Sequence, residues 1–158
     1  MTAGCITFDE LESRANEARR ARWETQCVVA QSEAYQRVDF GLLAQTAVQT
    51  FALKFKLRFL AFRQQVLINK LIDTDFVSFP KKKVKEIIGL IDDLVRYERE
   101  VLDNSQKLGM FTRFLWKPSL MRLRDQTEHL DSISESLHIV LDNKTTALLA
   151  MALEEFTK

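Results

Sequence analysis

Phe51-Ala-Leu-Lys-Phe-Lys-Leu-Arg-Phe59-Leu-Ala-Phe62 admits two readings, and the choice between them sets the fold class. Phe51, Leu53, Phe55, Leu57 and Phe59 alternate strictly with polar or small residues, the pattern of a strand. Phe51, Phe55, Phe59 and Phe62 also recur at intervals of four, four and three, the spacing of one helix face, with Leu53, Leu57, Leu60 and Leu67 as a second stripe beside it. The flanks decide for helix. No turn residue interrupts Leu42 to Asp73, far longer than an ordinary strand. The phenylalanine stripe is then expected to be core.

Helical patterning extends outward in both directions. Thr7-Phe-Asp-Glu10 has the form of a capping box and predicts a helix over 8–37. Its apolar positions (Leu11, Ala15, Ala18, then Cys27, Ala30, Ala34) are small and broken by arginines, so this is the weakest helix face in the chain. Asp39 is placed to cap a second helix over 40–72. Ser78 and Pro80 mark the start of a third, over 80–108, with Val84, Ile87, Ile88, Ile91, Leu94 and Val95 on one side and Gly109 at its end. Met110 to Trp116 reads as a short apolar link. Pro118 opens a fourth helix over 118–141, Asp142-Asn143 breaks it, and a short helix over 145–156 closes the chain. Long helices with short connectors predict one domain over 1–158. The expected fold is all-α, an antiparallel four-helix bundle with a short C-terminal helix.

Composition agrees. Four glycines and two prolines in 158 residues fall far below the usual share and exclude turn-rich sandwiches and barrels. Hydrophobic residues at 46% and charged residues at 28% describe a globular chain. The longest uncharged run, Phe40 to Leu53, is too short and too polar for an ordinary membrane span. Cys5 and Cys27 are too few for a disulfide framework and are read as free thiols in the reducing cytoplasm.

The formal net charge is only +1, yet charge is sorted along the chain. Residues 40–85 carry nine Lys or Arg against two Asp, and residues 110–124 carry four cations and no acid. Residues 125–158 sum to −5. Lys54, Lys56 and Arg58, then Lys81, Lys82, Lys83 and Lys85, are candidate anion-binding positions. The second group sits where a helix dipole already favours anions. Phe111-Thr-Arg-Phe-Leu-Trp-Lys117 interleaves aromatics with cations, as interfacial segments do. It nominates Arg113 and Lys117 with Phe111, Phe114 and Trp116 as interface aromatics. The alternative reading of the 54–85 stretch is nucleic-acid binding.

Catalytic patterns are missing from the sequence. There is no glycine-rich phosphate loop. Glu135-Ser-Leu-His138 has the spacing used by di-iron bundles, but the only candidate mate, Gln126-Thr-Glu-His129, has glutamine where a ligand is needed. No catalytic residue, metal site or cofactor is expected.

Arg113-Phe-Leu-Trp116-Lys-Pro-Ser-Leu120, followed by Leu123, Leu130, Ile133, Ser136-Leu137 and Leu141, resembles a pattern of fungal N-terminal signalling domains, the HeLo and HeLo-like domains of prion-type and STAND (NLR-like) proteins. Tyr35-Gln-Arg-Val-Asp-Phe-Gly41 and Arg58-Phe-Leu-Ala-Phe62 are similar to two further stretches of that family, with Phe62 in place of a tryptophan. The resemblance covers roughly residues 33–141. It implies a helical bundle related to that of the necroptosis executioner pseudokinase. It also implies cytosolic signalling, self-association and, in some members, cell death by membrane attack. Members that insert into membranes begin with an apolar, glycine-rich helix, whereas residues 1–27 here are heavily charged. The expected function is a non-enzymatic signalling and interaction module. Its partners are a second copy or another protein, with recruitment from the cytoplasm to anionic phospholipid.

Overall fold

The computed structural model describes residues 6–34 and 40–157, with side chains left out at 32–34, 40–46, 111, 156 and 157. Among the described residues the chain is almost entirely helical, and no strand is present. Four helices make the bundle: α1 (Phe8–Ala34), α2 (Phe40–Asp73), α3 (Lys81–Ser105) and α4 (Met110–Thr157). A 3-10 turn at Phe76–Ser78 joins α2 to α3. Around the bundle the order is α1, α2, α4, α3, so α2 and α3 stand at diagonal corners.

Local signals explain most of the ends. The Thr7 hydroxyl accepts from the Glu10 backbone N–H at 3.2 Å, half of a capping box. The Glu10 carboxylate does not close the other half and instead takes the Lys70 ammonium at 2.9 Å. The expected cap at Asp39 lies outside the described residues, as does Cys5. At the end of α3 the N–H groups of Gln106, Lys107 and Leu108 bond three residues back. The helix thus tightens and stops before Gly109, which is not in the left-handed region.

The C-terminal third corrects the sequence reading. Met110 to Trp116 is helix rather than a link, Asp142-Asn143 is no break, and no separate short helix follows. α4 is one helix of 48 residues, about 72 Å at 1.5 Å per residue. Pro118 lies inside it, on the solvent side. Its missing donor therefore deserts a carbonyl that water can reach. Asp and Asn disfavour a helix interior only weakly. The Thr145 and Thr146 hydroxyls also bond back to the carbonyls of Leu141 and Asp142.

The core divides into two apolar clusters. One centres on Leu11, Ile68, Ile87, Ile91 and Leu130. The other centres on Val28, Leu57, Val101, Trp116 and Leu123. Between them lies a polar layer of Gln64 from α2, Glu98 from α3, and Gln126 and Thr127 from α4, all buried. The Thr127 hydroxyl donates to the Glu98 carboxyl at 2.8 Å, and the Gln64 amide donates to its other oxygen. The Gln126 amide donates to the Ala61 carbonyl at 2.8 Å. Burial pushes the Glu98 carboxyl up to about 8, against the opposing pull of the Thr127 and Gln64 hydrogen bonds.

α1 packs through small residues. Leu11, Ala15, Ala18, Ala21, Thr25, Val28 and Val29 face inward, while Ala30 is exposed and Cys27 half-buried. On α1's α2-facing flank run three ion pairs: Glu10–Lys70 at 2.9 Å, Glu17–Arg63, and Glu24–Lys56 at 3.0 Å. Partners recur every seven residues on both helices, ascending on α1 and descending on α2. Each pair is partly exposed and contributes little alone. A slip of one helix against the other would break all three together.

Candidate functional site

The phenylalanines are not core. Phe51, Phe55, Phe59 and Phe62 are 52 to 61% exposed, and Val48 and Val66 extend the same line. Leu53, Leu57, Leu60 and Leu67 fill the interior instead. Helix geometry gives the reason. Residues two apart on an α-helix are about 200° apart, so the strict alternation of Phe51 to Leu57 puts phenylalanine and leucine on opposite faces. The two stripes are back to back, not side by side. The alternation that looked like strand was the signal of a helix apolar on two sides.

The exposed stripe has structure of its own. Phe51 and Phe55 meet edge to face with centroids 5.4 Å apart. The Lys54 ammonium lies 5.8 Å from the Phe51 ring and the Arg63 guanidinium 4.6 Å from Phe59. Phe55 and Phe59 also wall a groove of about 430 Å³ against α1, floored by Ala21 and Leu60 and rimmed by Glu17 and Glu24. Trp23 of α1 stands exposed on the continuation of this groove.

The nominated cations separate into groups. Lys56 is held by Glu24 as part of the ion-pair ladder. Lys54 is half-buried and Arg58 exposed, and neither has an ion-pair partner among the described residues. Lys82, Lys83 and Lys85 are exposed on α3 and Lys81 is half-buried; Lys83 sits 4.5 Å from the Phe79 ring. Because α2 and α3 occupy diagonal corners, the 54–58 and 81–85 cations do not form one surface. Arg113 and Lys117 are exposed on the first turns of α4.

The three nominated aromatics also part company. Phe114 is exposed, at 74%. The Phe111 side chain lies outside the described residues. Trp116 is fully buried, and its indole N–H donates to the Thr50 carbonyl at 3.2 Å, fastening the start of α4 to α2. It belongs to the core, not to an interface.

A second apolar surface was hidden by the expected break in α4. Beyond Lys144, whose ammonium reaches the Val77 carbonyl at 2.5 Å, α4 runs past the bundle. Residues 146–155 are exposed on every side, including Leu148, Leu149, Met151 and Leu153.

No group of three or more His, Cys, Asp or Glu that could hold a metal occurs among the described residues. No helix there is long and apolar enough to cross a membrane. No protein family, curated protein or solved structure matches the chain.

Proposed function

We propose that the chain is a non-enzymatic interaction module that associates with itself, and that the phenylalanine face of α2 is its binding surface. The observation that carries this reading is the exposed row Phe51, Phe55, Phe59 and Phe62 on a helix whose other face is already fully used in the core. With Val48 and Val66 the row exposes roughly 600 Å² of apolar surface, at the upper limit of what a monomer ordinarily shows. The frame is an antiparallel bundle, supported by the order of the ion pairs along α1 and α2 and of the Arg99–Asp131 and Asp92–Ser134 contacts along α3 and α4. In such a frame α2 is held rigidly and its outer face is presented as a flat ridge. Self-association is also what the resemblance to HeLo-like signalling domains implies.

Sedimentation velocity over a concentration series tests the reading. The wild-type chain is expected to populate a dimer that Phe59→Asp abolishes while the helical circular dichroism stays unchanged. A chain that stays monomeric at every concentration overturns it.

One observation favours a second reading, docking on anionic phospholipid: from Phe40 to Ile72 there is no acidic residue, and Arg58 is exposed beside the phenylalanines. Co-sedimentation with vesicles of phosphatidylcholine alone and with added phosphatidylserine separates the two. Binding only to the anionic vesicles, lost in Phe59→Asp and Arg58→Glu, is the result this reading requires.

A further inference from the structure

We infer that two copies of the chain also meet through α4, lying antiparallel about a two-fold axis near residue 126, so that the basic first part of each helix faces the acidic middle of the other. This contact is separate from the phenylalanine face of α2 and goes beyond it.

Charge along α4 changes sign once before residue 144. Residues 110–124 hold four cations and no acid, and residues 125–143 hold five acids and no Lys or Arg. The charges also share a face. At 3.6 residues per turn, Arg113, Lys117, Arg124, Glu128, Glu135 and Asp142 fall within about 60° of arc. All six are exposed, and none has an ion-pair partner among the described residues. Asp131 lies on the same arc but is already taken by Arg99 at 3.0 Å. Within one molecule the ends of the stripe cannot meet, because a continuous helix holds Arg113 and Asp142 roughly 40 Å apart.

Such a stripe complements itself only when turned end for end. With two helices side by side in opposite directions, Arg113 of one copy comes opposite Asp142 of the other, Lys117 opposite Glu135, and Arg124 opposite Glu128. All three pairs fall within one helical turn of a single register. The two-fold axis repeats each of them. Parallel helices would instead set cation against cation and acid against acid. Matching of this kind fixes orientation and register.

Apolar surface lies beside the stripe. Met110, Phe114, Met121 and Ile139 are 56 to 79% exposed and occupy about 40° of arc next to the charges. The first three share a hollow of about 380 Å³ with Arg113, Lys117 and Arg124. In the register set by the charges, Phe114 meets Ile139 of the other copy. These side chains and the stems of the charged ones would bury roughly 600 Å² per copy, about 1,200 Å² in all, the lower bound of a stable specific interface. Exposed ion pairs are weak singly and are screened by salt. At physiological ionic strength the α4 contact therefore joins copies already paired through α2 and does not hold single copies together. A molecule with two different two-fold surfaces assembles beyond a dimer, into a closed tetramer or an open row.

Sedimentation velocity on the full-length chain carrying Phe59→Asp isolates this contact from the phenylalanine face. That chain is expected to dimerise at about 50 mM salt, with a dissociation constant at least about tenfold weaker at about 500 mM. Two triple variants in the same background make the stripe single-signed. Arg113→Glu with Lys117→Glu and Arg124→Glu makes it acidic, and Glu128→Lys with Glu135→Lys and Asp142→Lys makes it basic. Circular dichroism verifies that both remain helical. Each triple variant alone is expected to be monomeric at the lower salt, and an equimolar mixture to form a one-to-one pair. Lys117→Glu and Glu135→Lys, singly and mixed, ask the same question with a smaller change of charge. A Phe59→Asp chain that is monomeric at the lower salt overturns the α4 contact. A basic-stripe variant that dimerises like its parent gives the cations another partner and overturns the two-fold exchange. Triple variants whose mixture stays monomeric overturn the charge matching. With Phe59 restored, both triple variants should stop at the dimer held by α2. A monomer there overturns the phenylalanine face and leaves the α4 contact standing.

Discussion

Glu98→Gln isolates the cost of the buried carboxyl. Glu98 is fully buried, with its oxygens facing the Thr127 hydroxyl and the Gln64 amide. Burial lifts its pKa from 4.5 to about 8. Between those values the folded chain keeps a proton that the unfolded chain has lost. The group's contribution to stability is therefore greatest below pH 4.5, falls as pH rises, and levels off above pH 8. Each pKa unit is worth about 1.36 kcal/mol, so at pH 7 the wild type gives up roughly 3 kcal/mol relative to a neutral side chain of the same shape, and above pH 8 roughly 5 kcal/mol. Glutamine is that side chain. Urea unfolding followed by circular dichroism, run from pH 5 to pH 9 on both proteins, reads the difference directly. The histidines and surface carboxylates are common to both chains and cancel. Glu98→Gln is expected to match the wild type near pH 5 and to exceed it progressively toward pH 8. In thermal melts the gain at pH 7 corresponds to roughly 10 °C for a domain of this size. A difference that does not change with pH, or a variant that loses stability at pH 8, would refute the account of a carboxyl held neutral between two apolar clusters.

Other perturbations have expected outcomes as well. Trp116→Ala empties the largest fully buried side-chain volume and removes the indole bond to Thr50. Urea unfolding should show a loss of about 3–5 kcal/mol, and a loss under 1 would contradict its burial. Pro118→Ala should raise stability by about 1–3 kcal/mol, because proline lies nine residues into α4. Were a helix to begin at Pro118, the same change would bring no gain. Arg63→Glu sets like charges against Glu17 in the middle of the ladder. It should lower the melting temperature, and the swap Glu17→Arg with Arg63→Glu should recover most of the loss; no recovery would mean that the pair is not formed. Phe55→Asp should leave the melting temperature within a few degrees of wild type, since Phe55 is exposed, and a large drop would place it in the core.

Much of the fold was legible in the residues. α3 is the clearest case, since Val84, Ile87, Ile88, Ile91, Leu94 and Val95 lie on one face and all six are buried. The Thr7 cap worked because capping is local chemistry. α2 was legible as a helix but not as to which side was inside. Phenylalanine and leucine are equally apolar, and only the identity of the neighbouring helices chose the leucine face. The boundaries of α4 were misread for a related reason. Proline and Asp-Asn are weak vetoes, costing a few kcal/mol at most, and packing of Trp116, Leu123, Leu130 and Leu137 into the core outweighs them.

The candidate surface followed the same division. Clusters of cations were visible in one dimension, but whether a lysine is spent or spare is not. Lys56 and Arg58 are two residues apart, and one lies in an ion pair while the other faces water. By itself the sequence determined that the chain is helical, since periodicity, capping and a scarcity of glycine and proline act through neighbours a few residues away. Only the tertiary structure decided which apolar stripe is covered, which charges are neutralised and how far α4 reaches beyond its neighbours, since each depends on side chains up to sixty or more residues distant, such as Trp116 and Thr50.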